Sequence, residues 1–313
     1  RHFENRLTIH NAGLSSLNSS FYTTVISGLG PNENQLITNS SVGSSVFVSA
    51  PGFGDTDTAE VITTDISGCS KGYSSQNSQE RFNRGSNDNE SCNYTNTFSG
   101  TSAATPVVSG IAALLFGVND ALTWRDVRHI LASTSTQVDP EIPSVQLVDE
   151  ESQFTAEHGW IINKAGYHFH NWYGLGMVNA TKAVQMAAND YQLLPPLEIT
   201  PFTPSAIIGV DTIPEGERGL TKKIIIDEDY TIEGVQVKVN LSHKRLSDVM
   251  IEVTSPSNTH SIILTPRSFI NKDEQLTDTV LLSNAFYGEK SKGEWLINIY
   301  DTNNGKFSYQ DLF

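Results

Sequence analysis

The apolar positions divide the chain into two parts. Up to about residue 190, short apolar runs alternate with apolar stretches of helical length; beyond it every run is strand-like. The most apolar stretch follows Gly100-Thr101-Ser102-Ala103-Ala104-Thr105-Pro106. There Val107, Val108, Ile111, Ala112, Leu114 and Leu115 predict a helix to about Phe116, too apolar for a surface helix and suited to a buried one. Residues 22–27 and 45–49 read as continuously apolar strands of a parallel sheet covered on both faces, with a further short strand at 60–65. Val127, Ile130, Leu131 and Thr134 give a second helix one apolar stripe, and Thr123 with Asp126 has capping-box spacing at its start. Asn179 is predicted to cap a third helix that packs through Ala180, Ala183, Val184, Met186 and Ala187. Residues 135–158, acidic and containing Pro140 and Pro143, read as an irregular surface loop. Strands alternating with helices predict an α/β domain with a mainly parallel sheet.

Pro195 and Pro196 stop the last helix and favour an extended linker, which sets the predicted domains at residues 1–192 and 193–313. Beyond the linker, strands are predicted at 222–226, 231–241, 248–254, 261–264, 279–283 and 294–300. Turn clusters such as Ser255-Pro256-Ser257-Asn258 separate them. Val235, Val237 and Val239 alternate with Gln236, Lys238 and Asn240, the signature of a half-buried strand. The second domain is therefore expected to be an all-β, jelly-roll-like sandwich.

Composition narrows the function classes. At 38% hydrophobic and 18% charged residues the chain is globular, not disordered. A net charge of −15 without a basic stripe argues against nucleic acid as partner. No apolar run approaches the roughly 20 residues needed to cross a bilayer, so no membrane segment is predicted. Asp227, Glu228 and Asp229, and likewise Asp248 with Glu252, read as solvated charge clusters; His168 and His170 share a strand face without a third ligand nearby. Cys69 and Cys92 bracket a polar stretch. A disulfide across it would contribute about 3 kcal/mol by loop entropy, whereas a reducing compartment would leave two thiols.

Ser102 carries the candidate chemistry. At a helix start flanked by small residues its hydroxyl is uncrowded, and its own N–H is one of the unpaired donors at the positive helix end. Acyl transfer needs that combination of a nucleophilic oxygen and an adjacent donor for the developing oxyanion. The same residues also suit a plain Ser/Thr cap on a core helix.

Gly100-Thr101-Ser102-Ala103-Ala104-Thr105-Pro106 resembles the nucleophile motif of the subtilisin-like serine proteases (subtilases, peptidase family S8). Leu122-Thr123-Trp124-Arg125-Asp126-Val127 and Tyr173-Gly174-Leu175-Gly176 resemble the segments that follow that serine in the kexin/furin branch. Ser41-Val42-Gly43 and Ala50-Pro51-Gly52 are similar to segments upstream of it in subtilases generally. In the second domain, residues 246–257 and 293–302 resemble the P (Homo B) domain of kexin and furin relatives.

The resemblance implies a secreted serine endopeptidase with Ser102 as nucleophile, Thr101 as oxyanion support, and a protein or peptide as substrate. No cofactor is implied for the chemistry. Structural Ca²⁺ is implied in the complete protein, with ligands unassigned in this chain, and a propeptide or chaperone is a further implied partner. The secreted setting favours the Cys69–Cys92 disulfide; in the kexin branch, however, the cysteine before the nucleophile pairs with one far upstream. The family's Asp, His and oxyanion Asn lie N-terminal of the serine in motifs not found here, and neither His2 nor His10 replaces them. The chain is therefore expected to be the back part of a catalytic domain, joined to most of a P domain and inactive alone. A base-specific pocket carboxylate of the branch falls at Ala12, and a calcium-binding glutamate near Ser40 or Ser41, both without a carboxylate here. Preference for basic residues before the cut is weakened accordingly. The alternative reading is a degenerate, non-catalytic protease fold whose P domain is the working module.

Overall fold

The computed structural model describes residues 10–30, 36–37, 40–53, 61–148, 153–189, 191–205, 212–214, 216–268 and 275–302. The expectations that rest on Arg1, His2 and Asp149-Glu150-Glu151 lie outside these residues. The first two strands, β1 (Val25–Leu29) and β2 (Val46–Pro51), pair in parallel with Gly28 opposite Ala50 and Leu29 opposite Pro51. Val46 to Ala50 are all buried, as continuous apolar character requires of a strand covered on both faces. The β3 (Val61–Thr64) and β4 (Tyr94–Phe98) strands form an antiparallel hairpin that leads into α1 (Thr101–Val118). Helix α2 (Trp124–Thr134) opens on the expected capping box, in which Thr123 accepts from the Asp126 N–H and Asp126 from the Thr123 N–H.

Residues 135–158 are not an irregular loop. Strands β5 (Val145–Val148) and β6 (Gln153–Glu157) form a hairpin within them. Its inward positions are few: Val145 and Ala156 pack together, while Phe154 packs on Met250 and Ile262 of the second domain. Short β7 (Ile161–Ile162) pairs with β8 (His168–Phe169). The Tyr173–Gly176 motif then runs beside β2: Leu175 N–H donates to Phe47 O at 2.8 Å, and Val178 N–H to Ser49 O at 2.9 Å. Close approach explains Gly174, with φ +60°, where a Cβ would lie 2.3 Å from the Phe47 carbonyl oxygen. Helix α3 (Ala180–Ala188) is capped by the Asn179 side chain, which accepts from Lys182 N–H.

The second domain has β9 (Leu220–Ile226), β10 (Val235–Leu241), β11 (Val249–Thr254), β12 (His260–Leu264), β13 (Leu276–Ser283) and β14 (Gly293–Asp301). One antiparallel sheet has the order β12-β11-β14-β9 and the other pairs β10 with β13. The two share one apolar cluster that includes Val237, Ile251, Leu281, Phe286 and Trp295. The expected strand from 231 begins only at Val235. Thr231 makes a single bridge to Lys290, and Glu233, outside the strand, pairs with Arg125 of the first domain.

α1 departs from expectation in its burial. Ala103, Ala104, Val108, Ile111 and Leu115 pack inward, but Val107, Leu114, Phe116 and Val118 are exposed. β1, β2 and α3 contact α1, and they cover one side of it. The helix is also longer than expected. Its 18 residues and mean hydropathy of 1.6 match a membrane-crossing helix by length and composition, which the apolar-run count did not anticipate. Its buried side closes the main apolar cluster with Phe47, Val48, Leu131 and Ala183.

The two domains share that core. Ala285 and Tyr287, between β13 and β14, are buried in the first domain's cluster. Asn284 donates through Nδ2 to Ser45 O at 2.8 Å, and its N–H donates to Ser44 O at 3.0 Å. Asp248 and Glu252 are not solvated: Asp248 is buried and paired with Arg245 and Arg267, and Glu252 with His158 and His260. Burial of a carboxylate is tolerated only with such partners.

Candidate active site

Ser102 lies at the carboxyl ends of the two parallel strands, where α/β sheets place their reactive groups. Gly52 and Phe53, just past β2, both donate backbone N–H groups to Leu29 O at the end of β1, at 2.9 and 3.0 Å. Gly100 N–H donates in turn to Gly52 O at 2.9 Å and Phe53 O at 3.0 Å. The chain enters α1 through Gly100 at φ +86°, a conformation that side chains disfavour, and it passes so near Gly52 that a Cβ there would lie 2.6 Å from Gly100 O. Two glycines thus set the position of the following serine.

Gly100 is the N-cap residue and makes no side-chain cap. Ser102, one residue inside the helix, is exposed, and its hydroxyl is not engaged in capping. The plain-cap alternative is thereby removed. Backbone donation within α1 begins with Ala103 and Ala104 N–H, both to Gly100 O at 2.9 and 3.2 Å. Ser102 N–H precedes them and takes no backbone acceptor among the described residues. Pro106, four residues on, has no N–H to give the Ser102 carbonyl, so the first turn around the serine lacks that helical hydrogen bond. Thr101 is half-buried, its methyl near Gly28 on β1. Among the described residues no histidine hydrogen-bonds Ser102, and His10 is exposed.

The Cys69–Cys92 pair is joined as a disulfide with Cα atoms 5.0 Å apart, in the loop between β3 and β4 that precedes the nucleophile. That loop has its own polar core, which hydropathy could not reveal. Asp65 accepts from Ile66 and Ser74 N–H groups, and buried Asn89 accepts from Tyr94 N–H while donating to Phe82 O and Tyr94 O. Ala12 is buried between Val42, which accepts its N–H at 2.8 Å, and the second domain, reached by Asn11 Nδ2 at Ile263 O, 3.2 Å. Among the described residues no three His, Cys, Asp or Glu side chains come together as a group that could hold a metal ion. Asp248, Glu252 and Asp278 are engaged by cationic partners, and Asp229 lies 4.0 Å from Lys290.

The chain matches the Subtilase family over residues 4–167 and the Proprotein convertase P-domain over residues 232–311. It belongs to the subtilase family. Among relatives of this subtilase are the Aeromonas extracellular serine protease of Aeromonas sobria, 37% identical over 96% of this chain and 51% of that protein, and the microbial serine proteinase of Aeromonas salmonicida, 32% identical over 96% and 52%. Proprotein convertase subtilisin/kexin type 6 of Rattus norvegicus is 30% identical over 66% of this chain and 21% of its own length. The crystal structure of the A. sobria serine protease superposes with a TM-score of 0.89 at 35% identity, covering 96% of this chain and 54% of that one. The same protease solved with the chaperone ORF2 gives 0.87 at 34% identity, again over 96% and 54%. The chain spans about half the length of these Aeromonas relatives.

In this subtilase the Leu122–Val127 motif serves the domain junction. Arg125 places its guanidinium fork on Glu233 of the second domain, with Nε 3.1 Å from Oε2 and Nη2 on Oε1, and gives Nη1 to Pro195 O at 2.6 Å. Buried Asp126 takes the Tyr191 hydroxyl at 3.1 Å and Leu194 N–H at 2.8 Å, fixing the start of the linker. Burial alone would raise its pKa, but hydrogen bonds from Thr123, Leu194 and Tyr191 hold it below the usual range. Arg128 lies 3.9 Å from the centre of the Phe47 ring and reaches Thr23 O and Asn284; burial lowers its pKa to about 10. The capping-box spacing accounts for Thr123 and Asp126 alone; the signal for the other roles is a cluster of charges, Arg125 and Arg128 among them, on an otherwise apolar-striped helix. Arg125→Ala is expected to lower unfolding stability by about 3 kcal/mol in chemical denaturation, because it strands Glu233 and the Pro195 carbonyl. Arg125→Lys should recover little of it, since the ammonium cannot reproduce the fork.

Proposed function

We propose that this chain is the nucleophile-bearing part of a secreted, kexin-like serine endopeptidase. The observation that carries the reading is the setting of Ser102: exposed, free of any capping duty, at a helix start, with its own N–H directed out of the helix end. In the proposed reaction Ser102 Oγ attacks the scissile carbonyl carbon while its proton passes to a histidine base. The C–N bond then breaks as that proton reaches the leaving amine, and water hydrolyses the resulting acyl-enzyme. Ser102 N–H and the Thr101 hydroxyl support the oxyanion, a contribution of about 2.7–4 kcal/mol per donor. The base and its orienting acid are proposed to come from the remainder of a subtilase catalytic domain, which would pack on Val107, Leu114, Phe116 and Val118 of α1. A jelly-roll order is proposed for the complete second domain.

A chaperone or propeptide is a proposed partner, supported by the A. sobria protease having been solved with one. Structural Ca²⁺ in the complete protein would be held by groups other than the carboxylates described above. Secretion is supported by the extracellular A. sobria relative and by the disulfide. Basic residues before the cut are the proposed preference, from the kinship with proprotein convertases. Peptide-library profiling of the complete protein tests this: internal cleavage enriched after Arg or Lys is expected. Cleavage without basic enrichment would overturn the specificity, and no cleavage by folded protein would favour the non-catalytic reading.

A further inference from the structure

We propose that Glu157, His158, His170, Glu252 and His260 form a pH-sensitive latch between the two domains, closed in mildly acidic solution and loosened on the alkaline side. Glu157 ends β6, His158 follows it, and His170 with Asn171 lies on the turn after β8; Glu252 and His260 stand on β11 and β12 of the second domain. His158 Nε2 is 3.0 Å from Glu252 Oε1, and His260 Nδ1 is 3.6 Å from the same oxygen, so one carboxylate is shared by imidazoles from both domains. Buried Asn171 donates to Ile262 O on β12 at 3.0 Å and favours the charged form of the nearby Glu157 carboxyl. His170 is 2% exposed, and its Nε2 has no hydrogen-bond partner among the described residues. The cavity between these groups measures about 10 Å³, room for no ligand larger than a water.

The other polar or titratable groups facing the cluster are few. Trp160, Trp172 and Tyr173 pack against the His170 ring, whose Nδ1 accepts the Trp172 backbone N–H at 2.9 Å; His168 lies against Trp160, Thr254 Oγ1 lies 3.3 Å from His260 Nδ1, and the Tyr300 phenol on β14 senses Glu252. None of these gives Glu157 a cation. Its carboxyl is therefore kept in the neutral form by burial, against the opposing effects of Asn171 and the His158 backbone, with a pKa of about 8.

Opening the interface to water would return each group to its ordinary value, which fixes the sign of the response. Glu157 is raised from 4.5 to about 8, so its contribution to closure is complete below 4.5 and is lost as pH rises toward 8. His260 is raised by its hydrogen bond to Glu252, so its contribution is present below 6.5 and is lost as pH rises through its folded value. His170 acts oppositely. Burial, then repulsion from His158, lowers it to about 3, so closure weakens as pH falls from 6.5 toward 3. Glu252 is lowered to about 2, since hydrogen bonds from His158 and His260 outweigh its burial; its contribution is lost only below 4.5. From 4.5 to 6.5 the Glu157 and His170 effects cancel, leaving a plateau. Above it, Glu157 and His260 both drive opening.

Hydrogen exchange of the β6 and β12 amides in the full chain, corrected for intrinsic rates, tests the latch. The opening constant is expected to be level between about pH 5 and 6.5 and then to rise roughly 30-fold by about pH 8, tenfold per unit for one proton. Glu157→Gln, which mimics the neutral acid, should remove most of that rise. A flat wild-type profile, or an equal rise in Glu157→Gln, would overturn the proposal. Should that variant not fold, infrared spectroscopy of the wild type decides. A protonated carboxylic acid C=O band at pH 7 that disappears by about pH 9 supports the latch, and its absence at pH 7 refutes it.

Discussion

Ser102→Ala in the complete protease is expected to lower kcat for peptide hydrolysis by about 10⁶-fold, the scale on which loss of a serine nucleophile removes a cooperating catalytic unit. KM should change little, because the hydroxyl contributes to the reacting geometry more than to ground-state binding. Folding should be unaffected: Ser102 is exposed, the cap residue is Gly100, and alanine is at least as good a helix former, so denaturation should agree with wild type within about 0.5 kcal/mol. A large loss of stability would mean that the hydroxyl is structural after all. Progress curves paired with denaturant melts separate the two.

The second large effect concerns the domain junction. A chain ending at residue 192 is expected to lose cooperative unfolding altogether, as followed by circular dichroism on heating. Tyr287 and Ala285 would vanish from the first domain's core, leaving Phe47 without its edge-on ring partner at 5.9 Å. Ser44, Ser45, Val46 and Asn163 would lose hydrogen-bond partners in the segment 282–287, and Arg125 would lose Glu233. Each stranded buried group costs about 1–3 kcal/mol, against a total margin of about 5–15 kcal/mol for a typical domain. A sharp melt near the parent's midpoint would show instead that the first domain stands alone.

Much of this was legible in the sequence. Continuous apolar character located β2 and placed β1 three residues early, since Gly28 and Leu29 continue that strand; Thr123 and Asn179 marked real helix caps, and the proline pair marked the departure from helical periodicity. The residues around Ser102 spelled out a helix start. What the sequence concealed was set by tertiary partners. Most of α1 is exposed, and no local pattern tells which faces of an all-round apolar helix will be covered. The β5–β6 hairpin was hidden because two of its inward positions serve each other and the third serves another domain. Asp248 and Glu252 resembled solvated carboxylates because their burial depends on partners that no helical or strand spacing links to them: Arg267 for Asp248, and His158 across the domain boundary for Glu252. Glu157 is the extreme case: a carboxylate in an acidic stretch, with nothing nearby in sequence to announce that it ends buried.

The central claim is that Ser102 is the nucleophile, and the most direct measurement is covalent. The complete, folded protein is treated with a biotinylated fluorophosphonate, which reacts with activated serines, and the adduct is located by peptide mass spectrometry. The expected result is one stoichiometric adduct on Ser102, absent in Ser102→Ala and blocked by prior denaturation. Failure of the folded protein to react, or labelling that persists in Ser102→Ala, would contradict it.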